Sequence, residues 1–501
     1  MNLFETIRSR IASPAQRFII KTDGQTLSYG DMLDRTAQLA NALVLAGVEP
    51  GDRVAVQVEK SVENFLLYLA TLRAGAVYLP LNTAYTLAEL DYFISDAEPR
   101  LVVCDPAKRA GLTEITTKRG ASVETLDAAG HGSLIEAANR ATKDFADVPR
   151  EDDDLAAILY TSGTTGRSKG AMLTHRNLSS NAETLREYWR FSDADVLLHA
   201  LPIYHTHGLF VAGNTVMFAG GAMIFLPKFD ADEVMRHLPK ATSMMGVPTF
   251  YTRLLKHPGL TKAACAHMRL FTSGSAPLLA ETHDEFRAKT GHAILERYGM
   301  TETNMNTSNP YDGDRIAGTV GFPLPGVEVR IADADGGKIL PQGEIGVIEV
   351  RGPNVFPGYW RMPEKTKAEF RSDGFFITGD VGKFDERGYV HIVGRAKDLI
   401  ITGGFNVYPK EVESEIDALP NVVESAVIGC PHPDFGEGVT AVVVLKKDAI
   451  ADEKAMIADL ERRLAKFKLP KRVIFVDDLP RNTMGKVQKN VLREQNAKLY
   501  C

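Results

Sequence analysis

Cysteine is scarce and unpaired: Cys104, Cys265, Cys430 and Cys501 are the only four in 501 residues. None forms a CxxC spacing, which removes a disulfide framework and a zinc site and points to a reducing cytoplasm. Positive charge is not in excess either. Lys plus Arg number 58 against 64 Asp plus Glu, a net charge of −6, so neither a nucleic-acid coat nor a general membrane-surface binder is indicated. Any anionic ligand must therefore be held by local groups. The N-terminus, MNLFETIRSR, carries charges where a secretion signal would be apolar, so no export is expected. The one long charge-free run, 196–227, is broken by His199, His205, His207, Gly208, Gly213, Asn214, Gly220 and Gly221. It reads as a buried core helix followed by a buried strand, not a membrane span. Disorder and fibrous repeats are excluded by an apolar share of 44% and a charged share of 24%, both ordinary for a folded chain.

What is present is alternation. In the first 150 residues, helical patterns (31–47, 62–75) flank β-branched runs such as 52–58, the signature of an α/β fold with partly parallel sheets. A second such set spans 155–300: a strand at 156–163, a helix from Asn177, and strands at 268–274 and 293–299. Beyond Gly318 the chain becomes strand-rich (327–333, 343–352, 389–394), suggesting a β-barrel-like subdomain. After Gly394 it starts afresh. Strands at 423–429, 438–445 and 472–478 and an amphipathic helix at 453–468 predict a compact α+β domain of about 100 residues.

The strongest motif is YTSGTTGRSKG (160–170), a glycine- and hydroxyl-rich loop directly after an apolar strand. Backbone N–H groups, the hydroxyls of Thr161, Ser162, Thr164 and Thr165, and the Lys169 ammonium suit the cradling of a polyphosphate. It is not a Walker A loop, because Lys169 lies between Ser168 and Gly170. A P-loop ATPase or kinase is disfavoured on that ground.

With this loop, several strings stand in a fixed order: LPIYHTHG (201–208), GVPTFY (246–251), TSGSAPL (272–278), ERYGMTET (296–303), ITGDVG (377–382), GRAKDLIITGGFNVYPKEVE (394–413), PDFGEG (433–438) and PRNTMGKVQK (480–489). The ordered set resembles the adenylate-forming enzymes, which include acyl-CoA synthetases, firefly luciferase and peptide-synthetase adenylation domains. The resemblance implies a large N-terminal domain (1–394) of two α/β subdomains and the β-barrel-like one, a hinge at 395–397 about Lys397, and a small mobile C-terminal domain (398–501). It implies ATP and CoA as co-substrates, Mg²⁺ as cofactor, and no nucleic-acid or membrane partner; a monomer or weak dimer is expected.

Site residues follow by position. The nucleotide would meet the loop residues Thr161, Ser162, Gly163, Thr164, Thr165 and Lys169. It would also meet Ser275, Ala276 and Pro277, and the string Arg297, Tyr298, Gly299, Met300 and Thr301. Glu302 is the expected Mg²⁺ ligand, because hard divalent cations take carboxylate and phosphate oxygens. Asp380 would hold the ribose, with Arg395 reaching ribose or phosphate. Lys486 would neutralise charge between the acid and the α-phosphate. Gly403 and Gly404 would let backbone approach the pantetheine of CoA. A non-catalytic adenylate-binding module should lack Glu302 and Lys486, and both are present.

The acid must be argued from its pocket. Ser275 replaces a glycine of the usual string, narrowing the pocket and adding a hydroxyl, and His207 lines the acyl tunnel by position. Arg253 is the expected anchor for a second carboxylate, because a buried guanidinium needs an anionic partner. The chain is also similar to the bacterial malonyl-CoA synthetases, which implies malonate as the acid and methylmalonate as a second substrate. The alternative is a short-chain monocarboxylate–CoA ligase.

Overall fold

The computed structural model describes residues 1–161, 168–334, 337–403, 405–482 and 485–500. Packing divides the chain into two units: Met1–Glu328 with Arg351–Phe376, and Val329–Val350 with Ile377–Cys501. This division is one of contacts, and it groups most of the strand-rich region with the C-terminal part.

The first unit is built on two sheets. One is six-stranded and parallel apart from its last pair, Leu155–Thr161 against Lys169–Thr174. The other has nine strands, with a parallel centre and antiparallel edges. Central strands such as Val196–His199, Ser243–Gly246 and Leu270–Ser273 are buried along their whole length, the expected state of a parallel sheet covered on both faces. The charge-free run resolves into the strand Val196–His199, a buried helical stretch from His207 to Ala219 and the strand Ala222–Phe225. The buried helix and following strand are as the composition predicts, and the strand ahead of them is additional. Among the described residues, no helix is long and apolar enough to cross a membrane.

The helix expected from Asn177 begins at His175. Its N-cap is Thr174, whose side chain accepts from the Asn177 backbone N–H while the Asn177 side chain accepts from that of Thr174, a reciprocal pair that satisfies two free donors at the helix start.

In the second unit the barrel-like expectation resolves into a four-stranded sheet in chain order, Glu328–Ala332, Gly346–Arg351, Phe376–Phe384 and Val390–Arg395. A five-stranded sheet follows, centred on Gly436–Leu445. The amphipathic helix is shorter than its pattern and spans Glu453–Leu460. Past it the chain bends at Ala465, which is extended, with φ −61° and ψ 144°. The bend lets Leu464, Phe467 and Leu469 reach the same core as Met456 and Leu460, so burial overrides helical continuation.

Candidate active site

The loop expected to hold phosphate joins two antiparallel strands, with Thr161 opposite Lys169. Ser162, Gly163, Thr164 and Thr165 lie outside the described residues. The far root of the loop is fixed, because the Tyr92 hydroxyl donates to the Ser168 carbonyl at 2.7 Å. Lys169 is 3.1 Å from Glu369 Oε1, and its ammonium lies 4.0 Å from the centre of the Tyr359 ring.

Thr301 and Glu302 sit on the tight turn between the strands Leu295–Met300 and Asn304–Ser308. Gly299 makes that turn possible: a Cβ there would lie 1.8 Å from the Asn304 carbonyl oxygen. The turn is fastened from outside, since Phe356 N–H donates to the Glu302 carbonyl at 2.8 Å and Asn354 Nδ2 to that of Thr303 at 2.7 Å. The Glu302 carboxylate is buried, and burial raises its pKa against the opposing Tyr359 hydroxyl and Lys169 charge. Among the described residues, no cluster of three or more His, Cys, Asp or Glu could cage a metal. A lone buried carboxylate suits Mg²⁺, which keeps few protein ligands and shares the rest with phosphate oxygens and water.

A second group gathers at the C-terminal ends of the parallel strands, where open α/β sheets bind ligands. Ser275 Oγ lies 3.2 Å from His207 Nδ1. His207 is buried, and burial together with Arg297 lowers its pKa well below the usual imidazole range, favouring the uncharged ring. Its Nε2 has no hydrogen-bond partner among the described residues. Arg297, read from sequence only as a nucleotide contact, belongs to the same group. It is 4% exposed, and its Nε and Nη2 have no partner among the described residues. Burial pulls its guanidinium down to about 9, still charged at neutral pH. Gly274 gives it room, because a Cβ at that position would meet Arg297 Nη1 at 2.3 Å. Tyr298 is buried beside it on the same strand, and Ala276 and Pro277 continue the loop after Ser275, with Pro277 exposed.

Arg253 does not have the environment expected of an anchor. Its helix, Pro248–Leu255, buries Phe250, Tyr251, Leu254 and Leu255 and leaves Arg253 exposed on the opposite face. Arg297 is the cation of this group that is buried, with Nε and Nη2 unpartnered among the described residues.

Ser275 also has a φ of +70°, a left-handed conformation that costs an L-residue about 1–2 kcal/mol. Ser275→Gly relieves that strain but gives back part of the gain through the unfolded chain. The expected result is a melting temperature unchanged or raised with a higher KM for the acid, checked by thermal melts alongside initial rates. A lowered melting temperature would contradict the strain assignment.

The remaining residues expected from sequence lie in the second unit. Asp380 and Arg395 face each other across adjacent strands, with Nε 3.1 Å from Oδ1. Lys486 is half-buried on a turn in which its N–H donates to Asn482 Oδ1 at 2.9 Å. Desolvation, helped by the neighbouring charges of Arg395 and Lys397, pulls its pKa down to about 8, while Asp380 opposes the fall. Lys397 is exposed two residues after Arg395. Gly403 is exposed in a left-handed turn with φ +56°, and Gly404 lies outside the described residues.

Sequence reasoning passed over Tyr359 and Glu369, which no motif spacing marked. It also missed the burial of Arg297, whose only signal is that Glu296 and Arg297 stand inside the otherwise apolar run 293–299.

The chain matches the AMP-binding enzyme family over residues 8–360 and the AMP-binding enzyme C-terminal domain over residues 411–486. The crystal structure of ATP-bound MatB from Rhodopseudomonas palustris is 67% identical, with a TM-score of 0.98 over 100% of this chain and 99% of that one. A malonate–CoA ligase of Arabidopsis thaliana is 34% identical over 99% of this chain and 88% of its own length. A mitochondrial malonate–CoA ligase of Mus musculus is 36% identical over 93% and 86% respectively.

Proposed function

Because the chain belongs to the AMP-binding enzyme family, we propose that it is an AMP-forming malonate–CoA ligase, with methylmalonate as a second substrate. The observation that carries the choice of acid is Arg297, a buried guanidinium with free donors beside Ser275 and His207. A dicarboxylate would pair it in a bidentate fork, and a monocarboxylate would leave it stranded. The malonate–CoA ligases among its relatives support the same reading. One added methyl is worth only about 1–3 kcal/mol of discrimination, so methylmalonate should be accepted too.

In the first half-reaction a carboxylate oxygen of malonate attacks the α-phosphorus of ATP, and pyrophosphate leaves. Two anions must meet, so positive charge has to converge on them. Arg297 holds the distal carboxylate, with Ser275 and neutral His207 as hydrogen-bonding partners. Lys486 neutralises charge between the reacting carboxylate and the α-phosphate, to which Thr301 donates, and Lys169 faces the departing phosphates. Asp380 and Arg395 fix the ribose, and Tyr298 lies against the adenine. Glu302 would hold the Mg²⁺ that accompanies ATP and offsets phosphate charge. In the second half-reaction the CoA sulfur attacks the malonyl carbonyl carbon, the thiol proton is released, and AMP leaves. Lys397 is the hinge for this step, and Gly403 would let backbone approach the pantetheine. The three described cysteines, Cys104, Cys265 and Cys430, are unpaired and buried, which supports a cytoplasmic setting.

The direct test is product analysis. With ATP, malonate and CoA the enzyme should yield AMP, pyrophosphate and malonyl-CoA in equal amounts; ADP or orthophosphate would contradict the reading. A pH effect follows from Lys486, which must be protonated to act. With a pKa of about 8 in the free enzyme, it loses its proton as pH rises through that value. Adenylation kcat/KM should then fall, approaching about tenfold per pH unit. Lys486→Arg should lack that alkaline limb, because a guanidinium stays charged there. An identical limb in the variant would assign it to another group.

A further inference from the structure

We propose that Glu369 is the counter-ion that parks Lys169 between turnovers, so that Glu369 and the polyphosphate compete for one ammonium. The inference rests on the reading of Lys169 as a phosphate contact.

The Lys169–Glu369 pair is close, at 3.1 Å, and both side chains are largely covered, at 16% and 19% exposure. Such a pair is not the loose surface contact that contributes little. Polyphosphate arriving at Lys169 brings several negative charges towards Glu369, so the two anions repel and each draws on the same ammonium. Glu369 is prepared for that exchange. Lys365 holds the same carboxylate at 2.7 Å, so the loss of Lys169 does not strand an unpaired charge.

Tyr359 connects the exchange to Glu302. Its hydroxyl lies 2.7 Å from Glu369 Oε2 and 3.0 Å from Glu302 Oε1. A phenol has one hydrogen and can satisfy only one carboxylate at a time. When Lys169 moves to phosphate, that hydrogen is best placed on Glu369, leaving both Glu302 oxygens as acceptors for a cation. When pyrophosphate leaves, Glu369 recaptures Lys169. The parked pair thus weakens the hold on ATP and speeds loss of the product anion. Glu369 touches none of the reacting atoms and is a positioning residue.

The test is equilibrium binding of ATP and of pyrophosphate to the full chain by calorimetry, with magnesium and without acid, for the parent and Glu369→Gln. The amide keeps size and hydrogen bonding but removes the charge. Both ligands should bind roughly 3- to 10-fold tighter, as the loss of one competing ion pair implies, and pyrophosphate should become a correspondingly stronger product inhibitor. A damaged fold would weaken binding, so tightening cannot arise from damage. In a Lys169→Ala background the Glu369→Gln effect should vanish. Unchanged or weaker binding in Glu369→Gln, or tightening that persists without Lys169, would overturn the proposal. If Lys169→Ala alone leaves pyrophosphate binding unchanged, the phosphate-contact reading has failed, and the proposal fails with it.

Discussion

Lys486→Ala should lose adenylation by roughly two to three orders of magnitude, the usual consequence of removing one preorganised charge from a transition state. The lysine is half-buried next to Arg395 and Lys397 and has been pulled down to about 8. A cation held in already positive surroundings gains most when an anion arrives, which is what the approach of malonate to ATP provides. Thioester formation from supplied malonyl-AMP and CoA does not need that contact and should stay within a few-fold of the parent. Separate assays of malonate-dependent ATP–pyrophosphate exchange and of malonyl-CoA formation from the adenylate resolve the two steps. Exchange at the parental rate would remove Lys486 from the mechanism, and equal loss in both assays would point to damage in the small domain.

Arg297→Met should lower kcat/KM for malonate by a comparable or larger factor. Truncating one member of a buried charge pair costs about 2–5 kcal/mol, much of it from the partner left unpaired, or roughly 30-fold to several thousand-fold in rate. Acetate has no second carboxylate to strand, so its use should be unchanged or improved. The free protein should respond in the opposite direction. A buried guanidinium with two donors unsatisfied destabilises the fold, and an apolar side chain of similar length should leave the melting temperature unchanged or raise it. Arg297→Lys keeps the charge without the fork and should fall between. A malonate rate that survives Arg297→Met would leave the acid assignment resting on the relatives alone.

Much of the architecture is legible in the residues. The apolar runs 52–58, 268–274 and 438–445 are the strands they resemble, because buried parallel or central strands leave continuous β-branched stretches. The helix at 453–468 is less so, since its amphipathic pattern records which residues reach the core and not how the chain carries them there. The anchor for the acid shows the same limit. Arg253 stands one residue before two buried leucines and two after a buried tyrosine, and a helical wheel already puts it on the far face. Arg297 is obscured because Glu296 and Arg297 resemble a strand running out into solvent. What buries them is the hairpin pairing of Leu295–Met300 with Asn304–Ser308 together with the room left at Gly274, and the second of these is not local in sequence. Tyr359 and Glu369 escape for the same reason: their contacts span 57 residues to Glu302 and 200 to Lys169.

The central claim is that a buried arginine makes this site select a dicarboxylate. It is tested most directly by kcat/KM for malonate against acetate, measured by pyrophosphate release with saturating ATP and CoA, in the parent and in Arg297→Met. The account predicts a parental ratio strongly favouring malonate that collapses by at least about 30-fold in the variant. A parental ratio near unity, or one that Arg297→Met leaves intact, would contradict it.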